Sequence, residues 1–374
     1  MKQTIFAIIR PYLNLSQQES QAAHLIEHIL ASPKRLEAIG LSRDYYAKNI
    51  IYNSGVTNDF YMAEYFVVLS DQADKVTDIL VTNKDNLFLN EDDFQKHKAT
   101  VIEELSEYRG EYISTAEQRA KAVYTVDSPT IRNSWNDSES IKSLTKRDIE
   151  NIFSKYNTDL VTLKLSWDKF DVNRIPTLEK NNLNITNNII ELSHPWQSLD
   201  SIDVSVIIKS AFEKNYLFDA LYRKSLSDMH FGLLFKELRH NQGLVYDIDL
   251  DYNYGSDTIE IDYSCAKDTS NSVIEHIKKT LSNYDSFIRD NIEVLKQRLK
   301  FDIELDWGDV QCQSENIIEK ACFNACTQSP SELLAQIDAI SVCDLISKNN
   351  QVLDGIENKA LIVKQGYGEK LSIR

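Results

Sequence analysis

One stretch limits the fold more than any other: Ala22-Ala23-His24-Leu25-Ile26-Glu27-His28-Ile29-Leu30. Ala, Leu and Ile support a helix, and no Gly or Pro interrupts them. A helix this apolar has to be packed against a core, yet it carries three ionisable side chains in little more than one turn. His24 and His28 lie at i and i+4 and share a face; Glu27, three on from His24, leans toward the same edge. Burying such groups is costly unless a partner compensates them. The fold must therefore give this helix both an apolar bed and a polar partner.

Two imidazoles at that spacing can ligate one zinc ion and leave the adjacent carboxylate free as a base. The order H-x-x-E-H inverts the zinc-peptidase signature H-E-x-x-H. The competing reading is a structural helix with satisfied core histidines. A catalytic zinc needs a third protein ligand and one open position. Downstream, Asn90 with Glu91, Asp92 and Asp93 forms a plausible N-cap and acidic first turn. Phe94, Val101, Leu105 and Tyr108 recur at helical spacing as a buried stripe, and Gly110 is the expected stop. Glu103 falls opposite that stripe, and Glu104 falls on its edge and can face inward. His97, two turns earlier, lies on the same edge as Glu104. Alone, this second helix also reads as an amphipathic surface element with solvated glutamates.

A chain of 374 residues can bury a sizeable core in two or three domains. Its net charge of −16 argues against nucleic acid and against anionic membrane surfaces as partners. No apolar run is long enough for a membrane span, and the start, "MKQTIFAIIRPYL", is too short for a secretory signal. The five cysteines are an odd number and scattered late, which fits reduced thiols and a cytoplasmic location. Cys322 and Cys326 share a helix face and read as core packing rather than a metal pair.

The two helices together resemble those of the M16 family of zinc peptidases, the pitrilysin, insulin-degrading and mitochondrial-processing group. There H-x-x-E-H is followed well downstream by a ligand glutamate in a helix, and "VIEEL" after "AHLIEH" looks like that pairing. The resemblance implies His24, His28 and Glu104 as ligands of one zinc per chain, with Glu27 as general base. It runs on through "ESIKSLTKRDIENIFSKYNTDLVTLKLSW", similar to the segment closing the family's first domain, and through "LFKELRHNQGLVYDIDLDYNYG", similar to the R-x6-Y region of the second. It implies that Arg239 and Tyr246 reach the active site and hold the substrate. Three departures stand out. His97 occupies the family's second glutamate position, where an imidazole can still hydrogen-bond a ligand or water. Gln21 replaces a glycine, and the segment before His24 is short, with one or two opening strands expected to be missing.

The expected architecture is α+β: two homologous halves, each a mostly antiparallel sheet backed by helices; the resemblance implies that together they form half of a clamshell. The domains are placed at 1–183 and 196–374, with the asparagine-rich 184–195 as linker. "LTKRDIENIF" before "LVTLKLSW" pairs with "ISVCDLIS" before "ALIVKQG" as a distant repeat, and "YFVVLS" with "IEIDYSC" likewise. Alternation in Thr258-Ile259-Glu260-Ile261-Asp262-Tyr263 reads as a half-buried strand. The resemblance implies a homodimer, with a heterodimer of two M16-like chains as the alternative, and the Arg239 and Tyr246 of one chain facing the zinc of the other. The implied substrates are peptides or short unfolded polypeptides, with leader-peptide trimming as one role. "DFYMAEYFVVLS" is a candidate edge strand for an extended peptide, or equally a plain core strand. The competing function is a non-catalytic M16-like subunit.

Overall fold

The computed structural model describes residues 2–12, 15–58, 60–107, 138–176, 178, 188–194, 201–210 and 214–367. Tyr108 and Gly110, assigned to the end of the second helix, lie outside them, as do 184–187 and 195 of the linker. The described residues form two compact units, one holding 2–107, 138–178 and 304–333, the other 188–303 and 334–367.

The first unit is a five-stranded sheet in the order β2-β3-β1-β4-β5. Its strands are β1 (Gln3–Pro11), β2 (Ile50–Thr57), β3 (Tyr61–Leu69), β4 (Val161–Ser166) and β5 (Phe170–Val172). All pairings are antiparallel. The opening apolar run is thus the central strand, and β1 and β3 are buried along almost their whole length, as strands covered on both faces must be. The helices are α1 (Gln17–Leu30), α2 (Pro33–Ala38), α3 (Arg43–Asn49), α4 (Ala73–Thr82), α5 (Glu91–Glu107), α6 (Ser138–Ser143) and α7 (Lys146–Tyr156). Leu25, Ile26, Ile29 and Leu30 of α1 pack with Met62, Phe94, Val101, Ile141 and Phe153 in one core. This is the apolar bed that α1 requires.

The second unit repeats the plan. Its sheet runs β6-β10-β7-β9-β8, from β6 (Asn188–His194), β7 (Ser201–Lys209), β8 (Asp247–Asn253), β9 (Thr258–Ala266) and β10 (Leu361–Tyr367). The order β8-β9-β7-β10 matches β2-β3-β1-β4, with a helix, α8 (Tyr216–Ser227), standing where α1 stands in the first unit. A π-helix (Phe235–Asn241) follows α8. Next come α9 (Ser270–Leu281) and α10 (Tyr284–Gly308), then α11 (Val310–Cys322), α12 (Pro330–Gln336) and α13 (Val342–Asn358). The repeat pairs read in the sequence take equivalent places: α7 then β4 matches α13 then β10, and β3 then α4 matches β9 then α9. Burial alternates along β9 as its sequence does.

Two stretches differ from the sequence reading. The segment 184–195 is not all linker, because Asn188–His194 pairs in parallel with β10 and forms an edge of the second sheet. The stretch 304–333, inside the expected second domain, belongs to the first unit, where α11 packs on β1 and β3. Phe60 and Phe323 meet edge to face there, with ring centroids 4.9 Å apart. Cys322 is the last residue of α11 and Cys326 lies beyond its end, so the two share no helix face. No helix among the described residues is long and apolar enough to cross a membrane.

Candidate metal centre

Helix α1 starts where its chemistry dictates. The Ser16 hydroxyl accepts from the Glu19 N–H, and the Glu19 carboxylate accepts from the Ser16 N–H, a capping box. The helix then runs without a break through His24, Glu27 and His28. Beside it lies α5, whose Val101 and Leu105 are buried in the shared core. Their burial sets the rotation of α5 and brings Glu104 round toward α1.

The three groups converge. The Nε2 atoms of His24 and His28 are 3.3 Å apart. His28 Nε2 lies 3.1 Å from one oxygen of Glu104, and His24 Nε2 lies 3.8 Å from the other. Among the described residues this is the one set of three His, Cys, Asp or Glu side chains arranged to hold a metal ion. A tetrahedral zinc with ligand bonds of about 2.0–2.1 Å spaces its ligand atoms about 3.3 Å apart. The donor set therefore fits zinc in both chemistry and spacing. Side-chain exposure rises from 13% at His24 to 23% at His28 and 36% at Glu104, so one side of the cluster opens outward.

The electrostatics agree with that geometry. Burial, and then the neighbouring His28, push the His24 imidazole down to about 4, although Glu104 pulls the other way. His24 is thus neutral at physiological pH, the form that ligates metal. Burial pushes Glu27 up to about 7, against the pull of the Thr57 hydroxyl and with added push from Glu104 and Glu315. A carboxylate poised there suits proton transfer near neutral pH.

Three residues around Glu27 escaped the sequence reading. A Cβ on Gly55 of β2 would stand 2.2 Å from the Glu27 Cγ, so only glycine leaves room for that side chain. A lone glycine inside a strand is the signal that marks such close approach. Thr57, on the same face of β2, and Tyr12 both present buried hydroxyls near Glu27.

His97 is half-buried on α5, within electrostatic reach of His28 and Asp93. Burial and His28 lower its pKa, and Asp93 opposes them. Asp93 is itself paired with Lys34 at 2.6 Å. Arg239 and Tyr246 belong to the second unit. Arg239 sits on the π-helix, its guanidinium 5.2 Å above the Phe235 ring and 4.0 Å from the Asp247 carboxylate. Tyr246 donates its backbone N–H to Ser264 at 2.7 Å and leaves its side chain exposed. A π-turn is itself a frequent mark of functional sites. The "DFYMAEYFVVLS" segment is not an edge: β3 pairs with β1 and β2, and β2 takes the edge position.

No family model matches the sequence, and no curated protein matches it. Solved structures do. A protease from Helicobacter pylori superposes with a TM-score of 0.67 at 14% identity, covering 98% of this chain and 94% of that one. A peptidase M16 inactive domain from Pseudomonas fluorescens gives 0.63 at 10% identity, over 99% and 94%. A chain of complex III2 from Candida albicans gives 0.68 at 13% identity, over 98% and 91%. The chain has the M16-like peptidase fold along nearly its whole length, at identities that speak for fold alone.

Proposed function

We propose that this chain is a zinc-dependent endopeptidase acting on peptides or short unfolded polypeptides. The observation that carries the reading is the convergence of His24, His28 and Glu104 beside a Glu27 that is not part of the ligand set. Structural zinc sites commonly fill all four positions from the protein; two histidines and one glutamate leave one open. His24, His28 and Glu104 would hold the metal, which when bound brings water toward neutral pKa and polarises a scissile carbonyl. Glu27 takes a proton from the attacking water and delivers it to the leaving amine, and its side chain lies close against Gly55. The outer edge of β2, which no strand among the described residues covers, lies next to Glu27 and offers main-chain pairing to an extended peptide. Leader-peptide trimming is one process such a site serves.

Arg239 and Tyr246 carry the substrate-holding role, supplied to the zinc site of a second chain in a homodimer; a heterodimer with another M16-like chain is the variant of that idea. Mixing a Glu27→Gln chain with an Arg239→Ala chain separates the cases. Exchange in trans restores one intact site per mixed dimer and some activity, whereas sites complete within one chain restore none.

The similarity to an inactive M16 domain supports a second reading, a non-catalytic subunit. Incubation with a complex peptide mixture, read as new termini by mass spectrometry, decides between them. Cleavage by the wild type should fall about a hundredfold or more in Glu27→Gln, with zinc content staying near one per chain. Absence of cleavage and of zinc in the wild type would favour the subunit reading.

A further inference from the structure

The first sheet has a second polar feature at its β2 edge, on the face away from α1. Along β2 the side chains alternate. Gly55 and Thr57 face α1 and Glu27, and Tyr52, Ser54 and Val56 face the other way, toward Tyr65 of β3. Ser54 is the direct cross-strand partner of Tyr65, and the Tyr52 and Tyr65 rings lie 6.0 Å apart. On this face α11 packs against β1 and β3. It brings Glu315 to the Tyr65 hydroxyl, which donates to one carboxylate oxygen at 3.0 Å.

Glu315 is exposed, and no basic side chain pairs with it among the described residues. A surface carboxylate on a helix ordinarily waves in solvent. This one is held by a phenol rising from β3, the strand paired with β2, at the residue directly opposite Ser54. Glu27 thus stands against Gly55 on one face of β2, and Glu315 is held by the cross-strand partner of Ser54 on the other; among the described residues β2 is an edge of the sheet.

We propose that Glu315, fixed by Tyr65, forms a subsite that selects a basic side chain in the substrate. The inference rests on the reading that an extended peptide pairs with β2. Such a peptide alternates its side chains between the two faces. A residue whose backbone lies by the scissile position on the Glu27 side has a neighbour pointing to the face of Tyr52, Ser54 and Glu315. A Lys or Arg there meets an aromatic wall for its stem and a preset carboxylate for its charge. An acidic side chain meets like charge.

Binding tests this separately from catalysis. Labelled peptides of one neutral sequence, carrying a single Arg, Gln or Glu at each position in turn, would be titrated by fluorescence anisotropy against the Glu27→Gln protein. At one position Arg should bind about tenfold tighter than Glu, the scale of a charge-assisted hydrogen bond. Adding Glu315→Gln should remove most of that preference, Glu315→Lys should invert it, and Tyr65→Phe should weaken it. A preference that survives Glu315→Gln in a protein of unchanged melting temperature overturns the proposal, as does a parent protein that binds all the peptides equally or binds none. Arg selection that depends on Glu315 in a chain whose wild type cleaves nothing would uphold the subsite and sink the peptidase reading instead.

Discussion

Two clusters of three ionisable side chains stand in the first unit, and they are built on opposite plans. Arg10, Arg35 and Glu64 are fully buried, and both guanidinium groups close on the one carboxylate. Glu64 accepts from Arg10 at 2.9 Å and from Arg35 at 2.7 Å. Arg10 also reaches Asn157, and Arg35 reaches the Leu30 carbonyl. His24, His28 and Glu104 are only half-buried and do not close. Both imidazoles present Nε2 to one another and to a carboxylate across a common centre. The first cluster has its cations and anion inside the protein. The second supplies lone pairs with no cation, the arrangement a metal site needs and a structural ion pair avoids. Charge count and burial do not separate scaffold from site; what the donor atoms are aimed at does.

The contrast can be broken most forcefully at Glu64. Its replacement by Ala leaves two guanidinium groups buried without their anion and should cost about 3–5 kcal/mol of stability. Urea unfolding of Glu64→Ala measures this, and a loss near zero would mean that the cluster is hydrated rather than closed. Zinc should act only on the other cluster. At a free concentration a hundred times its Kd, zinc should stabilise the wild type by about 2.7 kcal/mol. His28→Ala should abolish that gain and bring zinc content well below one per chain. Equal stabilisation of both proteins by zinc would place the metal elsewhere.

Much of this was legible because it is local. A helix fixes the relation of His24 to His28 whatever surrounds it, and the stripe of Phe94, Val101 and Leu105 fixes which of two adjacent glutamates turns inward. The repeat was legible because strand and helix periods recur in the same order in both halves. What failed was non-local. The strand order put β3 inside the sheet and β2 at its edge, and no pattern within "DFYMAEYFVVLS" distinguishes those places. The return of α11 to the first unit depends on the packing of β3 against a helix some 250 positions away, as does the pairing of Tyr65 with Glu315. Asn188–His194 was hidden by the asparagine-rich stretch that precedes it and becomes a strand because β10 offers it an edge. Gly55 left a local mark, a glycine within a strand, but which side chain it admits is set by the packing of α1.

Gly55 sharpens the comparison by perturbing Glu27, the proposed base, without touching a donor atom. In Gly55→Ala the new methyl group displaces the Glu27 side chain, and a shift of about 1 Å should slow peptide cleavage roughly ten- to a hundredfold. Zinc content and zinc-induced stabilisation should remain at wild-type levels, since His24, His28 and Glu104 keep their positions. Loss of zinc in this variant would mean that β2 supports His24 and His28 on α1 as well as Glu27.

A further test distinguishes the clusters by the sign of their pH dependence. Burial raises the Glu64 carboxyl, but Arg35 and Arg10 outweigh it and hold the group below its ordinary 4.5. The unfolded chain then binds the proton first, so this contribution is fully present above pH 4.5 and is lost as pH falls through the lower folded value. Glu27 in the metal-free protein runs the other way. Raised to about 7, mainly by burial, it keeps its proton in the folded state after the unfolded chain has released it near 4.5. Stability should therefore decline as pH rises from about 4.5 to 7 by an amount that Glu27→Gln removes. Urea midpoints of wild type and Glu27→Gln, measured across that window with chelator present, should converge at its acid end and separate at its neutral end. Parallel curves would mean that Glu27 titrates alike in both states, leaving no desolvated carboxyl beside His24 and His28.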